Sequence, residues 1–342
     1  MATIADVARH AGVSVSTVSY ALSGSRPISE STRQRVEASM KELGYQPNAA
    51  ARSLAARRTH VIALIYPEVE RGVGGTGGEF VRAAAEHARE QGYQLVLWPF
   101  RSDEGRQVRN LARQGMADGV LVMEVVNDDQ RIRMLEEARV PYAMIGRTRD
   151  VETRPSVDID FDATVEQALD HLVADGHTHI GFINHSQAMI DAGYGPAVRA
   201  AAAFDRMTAA RGLVALNRAC EDSPVVGRAV TADLLAADPE LTAIVTMNEL
   251  ATFGVYAELQ SRNLVVGQDV SVLGIVSSPG VGTLSYPPLT TMHSPGTELG
   301  RLAVDCLLSQ LHPERGAVPN QLIPCVLEPG MSLGPARTRR HT

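Results

Sequence analysis

"GVSVSTVSYAL", residues 12–22, decides how the N-terminal part of the chain folds. Val13, Val15, Thr17 and Ser19 alternate with Ser14, Ser16, Val18 and Tyr20, and Val, Thr and Tyr favour strands. At helical spacing, Val15, Val18 and Leu22 fall at i, i+3 and i+7, with Ala21 beside them. The neighbouring segments settle it. Thr3 can cap a helix in which Ile4, Val7, Ala8 and Ala11 keep helical spacing until Gly12. Ser14 can cap the disputed stretch. Gly24, Ser25 and Pro27 mark a loop, and Ser29 or Ser31 caps a third helix with Val36, Met40 and Leu43 on its apolar face and Gly44 as its C′ residue. A strand over 13–20 would have no partner within reach, whereas a helix completes a three-helix cluster. The helix is expected.

From His60 onward the texture changes. The apolar runs "HVIALIY", "YQLVLW", "DGVLVM", "PYAMIG", "HIGFIN", "TAIVTM" and "DVSVLGI" alternate with helical segments at 79–91, 104–115, 162–175, 197–211, 249–262 and 295–311. That rhythm predicts βαβ units and parallel sheets covered on both faces. So many strands over this length fit two doubly wound lobes. The expected fold class is therefore α/β, with an N-terminal three-helix helix-turn-helix head ahead of a two-lobed body. In such sheets, ligands bind beyond the carboxyl ends of the strands.

Of the 342 residues, 44% are hydrophobic and 21% charged, which is ordinary for a soluble globular protein. No apolar run is long enough to span a membrane and no leader pattern opens the chain, so a cytoplasmic location is expected. Cys220, Cys306 and Cys325 lack the spacing of a zinc site or disulfide framework and read as reduced, buried thiols. The net charge of −7 hides a split. Residues 1–59 carry eight basic and four acidic side chains, and the rest carries 24 and 35. A basic head on an acidic body predicts that only the head meets a polyanion.

The run "TIADVARHAGVSVSTVSYALSG", continued by "ISESTRQRVEASMKELGYQPNAAARSLA", resembles the LacI/GalR family of bacterial repressors, and the likeness continues through "ADGVLV", "VPYAMIGR", "HLVADGHTHIGFI", "TAIVTMNELATFGV", "DVSVLGI" and "PPLTTM". The resemblance implies a helix-turn-helix DNA-binding domain over 1–45, a hinge helix or linker over 46–59, and an effector-binding and dimerisation body over 60–334. That body would be similar to periplasmic binding proteins, and a basic tail would follow over 335–342. Val15 to Leu22 would be the recognition helix, with Val15, Ser16 and Tyr20 facing the groove. Thr3, Ser14, Thr17, Ser19, Ser29, Thr32 and Tyr45 complete the expected DNA-contacting set of the head. In the hinge, Asn48, Ala51, Arg52 and Leu54 would meet DNA, with Leu54 wedging into the minor groove. Many members carry arginine where this chain has Tyr20.

The resemblance also implies a small-molecule effector, a sugar or related metabolite, held between the lobes of a homodimer on a double-stranded operator. Tyr66, Arg147, Arg199 and Asn248 are the expected effector contacts. Here the chain departs from the sugar-binding pattern. Asn248-Glu249 stands where Asn-Asp is usual, Val276 sits at the aspartate position, and the effector-gripping arginine aligns with Ala200, one residue from Arg199. Those changes are expected to weaken the usual clamp for vicinal hydroxyls. The C-terminal "GPARTRRHT" lacks heptads, so a dimer is expected rather than a tetramer.

Other motifs carry less. Gly72 to Gly77 spell GxGxxG, the basis of an alternative reading as an NAD(P)-binding enzyme. "PEVER" separates them from the preceding strand, which argues for a flexible loop at the cleft mouth instead. His177 and His179 share a strand face without a completing ligand and read as structural. Asp158, Asp160 and Asp162 lack the glycine and distant glutamate of a calcium loop. No GxSxG elbow organises a catalytic triad. Neither cofactor, metal nor catalytic residue is expected.

Overall fold

A computed structural model describes residues 2–23, 26–45, 58–67, 75–100, 115–150 and 153–337. The hinge positions Asn48, Ala51, Arg52 and Leu54, and most of the helix expected at 104–115, lie outside them.

The head is three helices: α1 (Ile4–Ala11), α2 (Val15–Ser23) and α3 (Glu30–Glu42). Thr3 caps α1 in a reciprocal box with Asp6, and Gly12 ends it at φ +64°, a left-handed conformation that favours glycine. Ser14 Oγ accepts from Thr17 N at 3.1 Å to start α2, and Ser29 Oγ accepts from Thr32 N at 3.3 Å to start α3. One valine from each helix is fully buried, Val7, Val18 and Val36, and they cluster with Ala8 and Ala11. Burying each valine is worth about 1.5–3 kcal/mol, so the helices hold only as a trio. The disputed stretch is a helix because Val18 needs that shared core.

The body runs β1 (Val61–Pro67), α4 (Gly75–Glu90), β2 (Gln94–Phe100), β3 (Gly119–Val122), α5 (Gln130–Ala138), β4 (Tyr142–Ile145), β5 (Ser156–Ile159), α6 (Phe161–Ala174), β6 (His179–Ile183), α7 (Gln187–Asp191), α8 (Gly195–Ala210), β7 (Val214–Arg218), α9 (Pro224–Ala237), β8 (Ala243–Thr246), α10 (Glu249–Ser261), β9 (Ser271–Ser277), α11 (Pro279–Gly282), β10 (Thr290–His293), α12 (Gly296–Leu311), β11 (Gln321–Ile323) and β12 (Val326–Glu328). Two six-stranded sheets result, in orders β11-β5-β4-β3-β1-β2 and β12-β10-β9-β8-β6-β7. All neighbours are parallel except the antiparallel pair β10–β12. The inner strands β3, β4 and β8 are buried at every residue, which is why their sequences are unbroken apolar runs. The chain passes between the lobes three times: after β5, after β10, and between β11 and β12.

Among the described residues, no helix is long and apolar enough to cross a membrane. His177 is a structural residue, bonding Thr242 Oγ1 at 2.8 Å and Ser271 Oγ and Gly334 O at 3.0 Å each. His179 pairs with Asp238 at 2.8 Å. The three thiols are buried, and burial pushes them up to about 11 for Cys220 and Cys306 and about 12 for Cys325, which keeps them protonated and unreactive.

In the first lobe α12 lies against α4 at its closest at Gly300. A Cβ there would sit 2.6 Å from Phe80 O and 3.0 Å from the Ala83 Cβ. Gly300→Val should therefore overpack the crossing and cost about 3 kcal/mol, read as a lower urea midpoint with an unchanged m-value. An unshifted midpoint would mean the two helices can separate freely.

Candidate functional site

The head leaves one face of α2 open. Val18 is buried and Leu22 packs beside it, so Ser14, Val15 and Ser16 turn outward on the opposite side, with Val15 46% exposed. Thr17, Ser19 and Tyr20 are half-buried on the flank of that face. Hydroxyls gather at the helix starts: Ser14 Oγ lies 2.8 Å from Thr17 Oγ1, Ser29 Oγ lies 2.7 Å from Thr32 Oγ1, and Thr3 Oγ1 donates to Asp6 at 2.7 Å. Tyr45, half-buried, packs under the cluster. Over the Tyr20 ring lies a guanidinium. The Arg26 Cζ is 5.2 Å from the ring centroid, within cation–π range. Sequence reasoning counted Arg26 as one of eight head cations and gave it no role.

Between the lobes lies a cavity of about 1040 Å³ at the carboxyl ends of the strands, where open α/β sheets place their ligands. Tyr66 at the end of β1 lines it, as do Asp158 and Ile159 at the end of β5 and Glu221, Asp222 and Glu249 from the second lobe. Asp158 is 4% exposed. Its Oδ2 lies 2.9 Å from Arg199 Nη2 and 3.3 Å from Arg147 Nε, while Oδ1 accepts from Ile159 N at 2.9 Å. Two guanidinium groups thus share one carboxylate. Burial pushes the Asp158 carboxyl up and the Arg199 guanidinium down, against their mutual attraction. Arg199 also stacks on Phe161 at 5.5 Å and donates to Arg147 O at 3.2 Å. It reaches Asp158 by folding back along α8, where a Cβ on Gly195 would stand 2.8 Å from its Cζ. Ala200 faces the core, fully buried. The guanidinium of Arg199 thus lies behind Asp158, and Arg147 and Arg199 are both absent from the cavity wall.

Asn248 does not follow expectation. It is 1% exposed and is absent from the cavity wall. Its Oδ1 accepts from Ala251 N at 3.0 Å, capping α10, and its Nδ2 donates to Cys220 O at 3.1 Å and Glu221 O at 3.2 Å. It fixes the cleft wall from behind. Its neighbour Glu249, which sequence reasoning noted only as a departure, faces the cavity. Glu249 Oε1 accepts from Thr76 Oγ1 at 3.1 Å, Ser277 Oγ at 3.2 Å and Ser278 N at 2.8 Å. Thr76 belongs to the first lobe, so this carboxylate ties the lobes together. Gly75, Thr76 and Gly77 form the first turn of α4, which corrects the expectation of a loop at these three positions. Gly72 to Gly74 lie outside the described residues.

The family model for "Bacterial regulatory proteins, lacI family" matches residues 3–48, and that for "Periplasmic binding protein-like domain" matches residues 169–333. The ribose operon repressor of Escherichia coli (strain K12) is 33% identical over 353 residues, covering 96% of this chain and 99% of the relative. The chain belongs to the LacI family.

Members of that family are transcriptional regulators, which sets aside the nucleotide-binding enzyme suggested by residues 72–77. A second LacI-family relative, the HTH-type transcriptional regulator CelR of Thermobifida fusca, is 34% identical and covers 89% of this chain and 91% of the relative. Among solved structures, the lac repressor dimer bound to operator and the anti-inducer ONPF superposes with a TM-score of 0.81 at 26% identity, covering 97% of this chain and 98% of that one. A complex of the transcriptional regulator CelR with cellobiose superposes at 0.71 and 27% identity, covering 97% and 100%.

Proposed function

We propose that this LacI-family chain is a homodimeric transcriptional regulator that binds a near-palindromic operator through α2 and is switched by a small polyhydroxylated metabolite between its lobes. The observation that carries the reading is the open face of α2, held outward because Val18 is locked into the head's core. Val15, Ser16 and Tyr20 meet base edges, the hydroxyls of Thr3, Ser14, Thr17, Ser29 and Thr32 sit at helix starts suited to phosphates, and Ser19 lies farther along α2 on the flank of its open face. Arg26, stacked on Tyr20, supplies the guanidinium that position 20 lacks, and a guanidinium can pair with guanine O6 and N7. The hinge residues Asn48, Ala51, Arg52 and Leu54 continue this contact along the DNA.

Large apolar side chains support the dimer: Val225 is 79% exposed, Leu284 72% and Tyr286 92%. Tyr256 of α10 donates to Pro287 O at 3.1 Å, which holds the Tyr286 loop beside α10. Val96 and Leu97 stand open on β2, an edge strand. A second copy covering both patches removes them from water. In the cleft, Asp158, Glu221, Asp222 and Glu249 line the wall and offer polar groups to hydroxyls, Arg147 and Arg199 hold Asp158 from behind, and Tyr66 and Phe161 offer apolar surface to C–H groups. A sugar or related metabolite fits that lining.

The test is selection of random-sequence duplexes by the full-length protein. A two-fold symmetric sequence should emerge, bound with a Kd on the order of 10⁻⁸–10⁻¹¹ M and weakening steeply with salt. Recovery of duplexes with no shared sequence would sink the reading.

A further inference from the structure

Arg58 is the first described residue after the head, and its side chain reaches the far end of α12. Its Nη2 donates to Leu311 O at 3.0 Å, and its Nη1 lies 3.2 Å from both ring nitrogens of His312. Leu311 is the last residue of α12, so the guanidinium stands at the negative end of a long helix, where a cation is favoured. His312 is itself held, by Tyr93 Oη at 3.0 Å and Glu314 Oε1 at 3.2 Å. The next two residues are pinned separately. Asp118 Oδ1 accepts from Thr59 N at 2.6 Å and Thr59 Oγ1 at 2.8 Å, and its Oδ2 accepts from His60 N at 2.9 Å. The entry to β1 therefore has a fixed floor and one long arm, Arg58, on α12.

The other end of α12 belongs to the cleft. The helix starts at Gly296, directly after the passage from β10, and Leu299 lines the cavity. Gly300 presses on the backbone of α4, and His87 of α4 bonds Asp305 of α12 at 2.7 Å. The first turn of α4 carries Thr76, which holds Glu249 across the cleft. α4 and α12 are thus fastened as one unit. One end forms the cleft wall. The other end, about 24 Å away by the rise of sixteen residues, meets Arg58.

We propose that Arg58 is a positioning residue that couples the head to the cleft through α12. This rests on the regulator reading above. A lobe movement that shifts Thr76 against Glu249 moves the α4–α12 unit and with it Leu311 O, and Arg58 passes that shift to the chain leading to the head. Coupling is reciprocal, so DNA bound at the head must be felt at the cleft end of α12.

The experiment is hydrogen exchange on the full-length protein, with and without a saturating amount of the duplex selected above. In the parent protein, the duplex should change protection of residues 299–303 in α12. In Arg58→Gln, saturated with the same duplex, that change should shrink about five-fold or more. Arg58→Lys, which keeps a cation at the helix end, should retain most of it. Arg58 is exposed, so its loss leaves the fold intact, and an unchanged thermal midpoint checks this. An equal protection change in Arg58→Gln would overturn the proposal while leaving the regulator reading standing, as would no change in the duplex-bound parent. Failure to select any duplex would remove the reading and the coupling together.

Discussion

Asp158→Ala should destabilise the body by about 3–5 kcal/mol, lowering Tm by roughly 10 °C. The carboxylate is the shared partner of Arg147 and Arg199, and both guanidinium groups are mostly buried, at 22% and 15% side-chain exposure. Removing it leaves two like charges facing each other with no anion between them. Their repulsion adds to the cost of burying each charge unpaired. Asp158→Asn keeps the shape and one acceptor but not the charge, and should fall between the parent and alanine. Differential scanning calorimetry on the three proteins decides it. A Tm for alanine within about 2 °C of the parent would show that water already compensates the two arginines. The cavity wall should change with stability, because Asp158 lines it.

Arg26→Ala should weaken binding to the selected duplex by about 10- to 100-fold, the value of a bidentate guanine contact, while binding to unrelated duplex changes little. The geometry behind this is the 5.2 Å stack of Arg26 on Tyr20. If the ring steers the guanidinium, Tyr20→Ala should lose a comparable amount and the double variant little more, since the two act as one unit. Titrations at several salt concentrations separate the alternatives. A loss spread evenly over all sequences, with the salt slope smaller by about one, would make Arg26 a phosphate contact instead.

The head was legible because its signals are local. Caps at Thr3, Ser14 and Ser29, a left-handed Gly12 and three valines at helical spacing leave one economical arrangement, and the structure has it. The buried strands were legible as apolar runs. Strands β5 and β7 escaped because neither carries an apolar run, for different reasons. β5, "SVDI", is fully buried although two of its four residues are polar, because Asp158 finds its arginines and Ser156 N finds Asn320 Oδ1. β7 lies at a sheet edge with no residue fully buried, so it carries no apolar run. The cleft was legible in position and only partly in membership. Tyr66 stands in the wall, and Arg147 and Arg199 reach it through Asp158. The sequence around Asp158 gives no sign of its buried arginine partners, only an acidic run without the glycine and glutamate of a calcium loop. Asn248 and Glu249 exchanged roles, since the first residue of a helix points where its cap cannot. Spacing along a chain does not report which of two adjacent polar residues turns inward.

The triple passage between lobes also orders events during synthesis. The first lobe's sheet takes β11 as its edge, and α12 covers its face, yet both lie beyond the whole stretch that builds most of the second lobe. At about 5–20 residues per second, making residues 160–320 takes about 8–32 seconds. For that interval β5, an inner strand in the finished protein, is an open edge able to pair with another nascent chain. The amino-terminal lobe is therefore the first begun and among the last completed, and a ribosome stalled within that stretch would leave it half-built.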